Sequence, residues 1–359
     1  MMQNRLLYIT RFLMSWFWIF TIFLLLFLPS FFYMMRPSKS INILVWADLF
    51  SPHMIKKFED KTGIKVYVSY FTSNEELFVK LKGTKGGLYD LIMPSDYMVQ
   101  QLINENLLQP IDISKFTFLD RLDTRLLGFS FDPKNSYSIP YYWGVYGLGI
   151  NTDFFNARTP EPSWSLLFDS RSSYKVAMPN VAREAILIAA QYLFGTIKNL
   201  SEEQIHQAAE LLYKQKKMVE VYLDYRPDHL LLSKTCPVVV TSTPSLWKYI
   251  KPDNSIRFLL PKEGSFLIID AISIPIKSSK VDLAYKFIEY LYEPSVIKDQ
   301  FKYHTFFPAT TDLQDLFNEF NVDPSIQKAH LDDISKLTYF KNVVSENILT
   351  SIWISLKAR

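Results

Sequence analysis

The 359-residue chain has a single cysteine, Cys236, so no intramolecular disulfide can brace it. Glycine is scarce at 10 residues, and none of it forms a G-x-G-x-x-G turn or a phosphate loop; Gly86-Gly87 lacks the lysine and hydroxyl that such a loop needs. The five histidines, at 53, 206, 229, 304 and 330, show no metal-ligand spacing, and neither CxxC nor HExxH occurs. "TSTPS" offers hydroxyls without a G-x-S-x-G elbow. No nucleophile, metal centre or cofactor is specified, which disfavours an enzyme. An excess of one charge is missing as well. The formal net charge is +3, but residues 1–38 hold Arg5, Arg11 and Arg36 and no acid, so the remainder balances at 36 basic against 36 acidic residues. With no continuous basic stripe either, nucleic acid is not an expected partner.

What the sequence does hold begins with a long apolar run. "MMQNRLLYITR" is short and positively charged, and Phe12 to Met35 is almost entirely apolar. Such a run is a secretory signal or a membrane anchor. It is long for a signal, has no clean small-x-small cleavage site, and has no cysteine near its end for lipoprotein-type acylation. A buried core helix is the dull alternative; a position at the extreme N-terminus ahead of "RPSKS" favours a crossing followed by a short linker. Residues 1–38 are therefore expected to export the protein, tethered or not.

The body alternates strands and helices. "INILV" reads as a buried strand that breaks into Trp46, Ala47 and Asp48, and Ser51-Pro52 opens a helix with Ile55 and Phe58 inward and Gly63 as its left-handed cap. "IKVYVSYF" alternates with Ile64, Val66, Val68 and Tyr70 on one face. "SNEELFVKLKG" is a helix capped by Ser73 ahead of Glu76 and closing at Gly83. "YDLIMPS" is a short strand, after which Ser95 caps the helix "DYMVQQLINEN". This β-α-β-α order predicts a mostly parallel sheet with flanking helices. Near "DPKNSYSIPYYWGVYGLGINTDFF", Pro133, Pro140, Gly144, Gly147 and Gly149 read as breaks in regular structure at a crossover into a second lobe. Helices over 182–194 and 202–218 and the strand "PVVVTS" belong to that lobe, and "FLIIDAISIP" returns to the first. A helix with Ala284, Phe287, Ile288 and Leu291 inward follows, halted before Pro294. Two lobes with more than one crossing leave a cleft that closes around a ligand.

Ligands of open α/β sheets bind beyond the carboxyl ends of the strands. Trp46 and Asp48 lie there after the first strand; Ser95, Asp96 and Tyr97 lie there after the third. Asp270 ends "FLII", and Glu184 lies in the first turn of a helix. Each has a plainer reading: Asp48 and Ser95 as helix caps, Trp46 and Tyr97 as core, Glu184 as a macrodipole partner. Asp270 fits a plain reading least, because a carboxylate in so apolar a run needs a partner or a solvent-facing cleft.

In order along the chain, "VWADLFSPHMIKKFEDKTGIKVYVSYFTSNEELFVKLK", "YDLIMPSDYMVQQLINENLLQPID", "SYSIPYYWGVYGLGINTD", "AREA", "PKEGSFLIIDAISIP" and "AYKFIEYLYEPSV" together resemble the spermidine/putrescine-binding proteins of polyamine ABC importers. The resemblance runs from about residue 41 to the final "LKAR". It implies a two-lobed type II periplasmic binding protein fold, α/β, with mixed, mostly parallel sheets and flanking helices behind the N-terminal apolar segment. Lobe one would comprise 39–144 and 268–314, and lobe two 145–267 and 315–359. It also implies that carboxylates grip ammonium groups while aromatic faces pack on methylenes. Matched position by position, the ligand-binding residues would be Trp46, Asp48, Ser95, Tyr97, Glu184 and Asp270. Trp46 and Asp48 would give one end of a diamine both a face and a charge.

Departures bear on the ligand. Val181 stands where spermidine binders carry an acid, Thr241 and Ile268 where they carry tryptophans, and Leu49 and Phe306 where tyrosines are usual. A lost charge-assisted contact costs about 1.5–3 kcal/mol. Tyr142, Trp143 and Trp247 are candidates to compensate. The expectation is a monomeric periplasmic solute-binding component that hands a polyamine such as putrescine or spermidine to a membrane permease. The rivals are the same fold with another solute, an enzyme on the same scaffold, and a tethered partner-binding protein with a decayed cleft.

Overall fold

The computed structural model describes residues 11–25, 27, 37–47, 49–223, 227–251, 254–331, 334 and 337–359. Residues 11–25 form a helix whose large apolar side chains, Phe12 through Leu25, are exposed. Among the described residues no helix is long and apolar enough to cross a membrane. The rest of the expected signal or anchor, like Asp48, lies outside the described residues.

The first sheet is small and parallel. Strand β1 (Ser40–Trp46) lies between β2 (Lys65–Phe71) and β3 (Leu91–Ile92). The helix Pro52–Thr62 forms for the expected reasons: Ser51 Oγ accepts from Met54 N at 3.1 Å, and Gly63 closes it at φ 69°. It buries Met54, Ile55 and Phe58. Two local expectations are corrected. Tyr70 is exposed and Phe71 is buried in its place, because Phe71 packs on Trp46 with ring centroids 4.4 Å apart. The next helix runs through Gly83 to Thr84, with Lys85 taking the left-handed cap. At its start only half of a capping box forms: Ser73 Oγ accepts from Glu76 N, while Glu76 turns to Thr72.

The second sheet has the order β12-β10-β5-β8-β6-β7, with β9 (Ile256–Leu259) also on β5. Here β5 is Ile139–Asn151, β6 Val176–Pro179, β7 Val219–Leu223, β8 Val238–Ser242, β10 Phe266–Ile272 and β12 Thr338–Tyr339. A short pair, β4 (Leu108–Gln109) with β11 (Ile274–Pro275), lies beside them. All pairings of β5 are antiparallel, so this sheet is mixed, and only β6–β7, β6–β8 and β10–β12 are parallel.

Strand β5 overturns the expectation that its glycines break regular structure, because it runs unbroken for 13 residues. The glycines leave room. A Cβ at Gly144 would lie 2.6 Å from Pro244 Cδ, one at Gly147 2.5 Å from the Leu259 carbonyl oxygen, and one at Gly149 2.7 Å from Leu231 Cδ1. Residues 139–145 of β5 pair with β10, and residues 146–150 pair with β8. The end of β10 in turn meets the first sheet: Ser273 exchanges hydrogen bonds with Ile92, and Ala271 N donates to Pro94 O at 2.9 Å. The two sheets are therefore joined where β10 leaves β5.

Candidate functional site

That junction positions Asp270. The pairing of β10 with β5 slips between Asp270 and Ala271, and such a bulge re-aims a side chain. Asp270 forms an isolated bridge with Ser95, which follows β3 and Pro94. Trp46 ends β1 beside β3, so all three lie beyond the carboxyl ends of the parallel strands. The Ser95 hydroxyl donates to Asp270 Oδ1 at 2.5 Å, and Trp46 Nε1 donates to the same oxygen at 3.2 Å. Asp270 is only 8% exposed. Burial pushes its carboxyl up to about 6, and the Ser95 and Trp46 donors pull the other way. At the end of β1 the Trp46 ring and the Asp270 carboxylate sit together.

Ser95 corrects an expectation. It holds the N-cap position of the helix Asp96–Asn104, yet its side chain makes no capping bond, because the hydroxyl is committed to Asp270. Asp96 accepts the N–H groups instead, from Tyr97 at 2.6 Å and from Ile269 at 3.2 Å. It is fully buried, and burial pushes its carboxyl well up, with Asp270 and Glu184 adding repulsion.

Tyr97 and Glu184 belong to the other side, where the charge of Glu184 acts on the Tyr97 hydroxyl. Tyr97 is buried; its hydroxyl donates to Glu75 Oε1 at 3.1 Å, and its backbone oxygen accepts from Asn342 Nδ2 at 3.1 Å. The Arg183 guanidinium stands 4.9 Å from its ring centroid, and it also pairs with Glu346. Glu184 opens the helix Ala182–Phe194 and accepts a hydrogen bond from Tyr146 Oη at 2.8 Å. Burial, then the charge of Glu184, pushes the Tyr146 hydroxyl well up, so at neutral pH it is a donor. Burial does the same to Tyr97, with Glu75 and Glu184 adding to it.

Five of the six expected residues thus fall into one neighbourhood, Trp46–Ser95–Asp270 on one side and Tyr97 with Glu184 on the other. Reading the sequence placed Asp96 beyond the third strand without counting it among the ligand-binding residues, and it missed Glu75, Tyr146 and Asn342. Tyr146 was within reach, since it shares a strand face with Tyr142, and Tyr142 lies opposite Asp270 in register. Of the three compensating aromatics, only Tyr142 is near the site. Trp143 is fully buried with Nε1 bonded to Pro308 O, and Trp247 packs on Phe301. Thr241 is buried, and Phe306 packs behind Tyr142 at 5.5 Å between ring centroids. A separate cavity of about 220 Å3, lined by Ser51, His53, Lys57, Asp299 and Tyr303 among others, touches none of the five described site residues. Among the described residues no three His, Cys, Asp or Glu side chains come together to hold a metal ion.

Comparison with known proteins gives the family. Residues 53–331 match the family described as bacterial extracellular solute-binding protein. The spermidine/putrescine-binding periplasmic protein of Salmonella typhimurium is 31% identical over 71% of this chain and 73% of its own. The putrescine-binding periplasmic protein PotF of Escherichia coli is 28% identical over 72% of this chain and 75% of its own. The solved spermidine/putrescine ABC transporter substrate-binding protein PotD of Streptococcus pneumoniae superposes with a TM-score of 0.75 at 24% identity, covering 89% of this chain and 99% of that one. The chain belongs to the bacterial extracellular solute-binding protein family.

Proposed function

We propose that this chain captures a small polyamine, putrescine or spermidine in class, between two lobes and delivers it to the permease of an ABC importer without chemical change. Lobe one comprises 39–144 and 268–314, and lobe two 145–267 and 315–359, with β5 and β10 crossing between them. The observation that carries the reading is the pair of half-sites. Asp270, oriented by Ser95 and backed by the Trp46 ring, takes one ammonium. Glu184, oriented by Tyr146, takes charge on the far side of Tyr97. A flexible polycation needs this combination of anchored carboxylates and aromatic faces. The names of the relatives support the solute class. The protein works as a monomer outside the cytoplasm, and residues 1–38 export it or hold it to the membrane.

A second reading, the same fold with another solute, is favoured by one observation. The buried guanidinium of Arg183 already covers a face of Tyr97. The amide variants Asp270→Asn and Glu184→Gln test the site. Each removes a charge while keeping its hydrogen-bond geometry, so each should lose polyamine binding by about tenfold or more while still folding. Unaltered affinity in both would reject the assignment.

A further inference from the structure

We infer that Glu75 is a further ligand-contacting carboxylate, which holds the outer ammonium at the rim of the site together with Glu184. The inference rests on the polyamine reading above.

Glu75 occupies the first turn of the helix Asn74–Thr84, an exposed position whose side chain could point freely to water. Its Oε1 instead accepts from the buried Tyr97 hydroxyl at 3.1 Å. Nearby acids are matched to bases: Glu76 to Lys80, Glu59 to Lys65, and Glu105 to Lys82. Among the described residues no lysine or arginine pairs with Glu75. The charges around Tyr97 make that omission pointed. Glu75 accepts from the Tyr97 hydroxyl directly, and the charge of Glu184, from a helix packed on the other sheet, adds to the burial that pushes that hydroxyl up. Among the described residues the basic group at this ring is Arg183, and it is paired with Glu346. Glu75 sits on the Tyr97 hydroxyl and the charge of Glu184 reaches the same hydroxyl, so an ammonium held at Glu75 is attracted by both carboxylates. Glu75 is also exposed where Asp270 is buried, so the site has a floor acid and a rim acid, one for each end of a diamine.

The test is calorimetric titration of putrescine into the full chain in detergent, comparing wild type with Glu75→Gln and Glu76→Gln. The first variant keeps a hydrogen-bond acceptor for Tyr97 and loses only charge. The second removes the same charge one residue away, on a side chain committed to Lys80. The expected result is a Kd raised about tenfold for Glu75→Gln, in line with one charge-assisted contact, and within twofold of wild type for Glu76→Gln. A Glu75→Gln Kd within twofold of wild type overturns the inference. Equal weakening in both variants also overturns it, since that reports a long-range field and no contact. Absence of binding by wild type would sink the polyamine reading itself, and the role of Glu75 with it.

Discussion

Asp270 is a carboxylate buried at a strand bulge with two neutral donors and, among the described residues, no basic partner. That isolation sets its pH behaviour. Its folded carboxyl titrates at about 6 against an ordinary 3.8, so between these values the native state binds more protons than the unfolded chain. Ligand-free stability from this group therefore falls as pH rises from about 4 to about 6. The total is on the order of 3 kcal/mol, from roughly two units at about 1.4 kcal/mol each. Ammonium binding needs the ionised form and runs the other way: affinity should be flat above pH 7 and drop about tenfold per unit well below pH 6. Thermal melts and titrations between pH 4.5 and 8 check both slopes, and Asp270→Asn should flatten the stability slope. Affinity that strengthens on acidification would contradict this role. Ser95 shows why such a site is hard to read from sequence alone. A serine before a helix is a cap by every local rule, and only the fold brings Asp270, 175 positions away, to claim its hydroxyl.

The elements themselves were legible where local chemistry decides them. Ser51-Pro52 and Gly63 bound a helix, and the helix Ala182–Phe194 falls where its periodicity predicts, because each carries its own start or stop signals. Strand β5 was not legible, because its glycines resemble loop chemistry and their purpose lies in other elements. Gly147 has no room for a side chain beneath the Leu259 carbonyl and the Phe258 ring. Gly147→Ala should therefore destabilise the protein by about 1–3 kcal/mol, the usual range for overpacking. A urea midpoint lowered without a change in slope would show it. An unchanged midpoint would mean that β9 can move away at little cost. Tyr142 and Tyr146 follow the same logic: their alternation was visible, but their pairing with Asp270 and Glu184 depends on which strands flank β5.

At the scale of the whole molecule, β5 and β10 each pair within the second sheet, and the end of β10 also reaches the first. Tyr97 lies after a strand of the first sheet, yet it is touched by Arg183 and Asn342 from segments that pack with the second. A ligand gripping Asp270, Glu75 and Glu184 together would hold these parts against one another, and capture by closure follows. Binding to the folded state alone adds about 2.7 kcal/mol of stability at a ligand concentration 100 times Kd, so the same ligand must raise the melting temperature. The central claim is tested most directly by calorimetric titration of the chain with putrescine, cadaverine, spermidine and spermine, after unfolding and refolding to strip copurified solute. The account predicts saturable binding of at least one of them at a single site, with matching thermal stabilisation. No heat and no stabilisation from any of the four would contradict it.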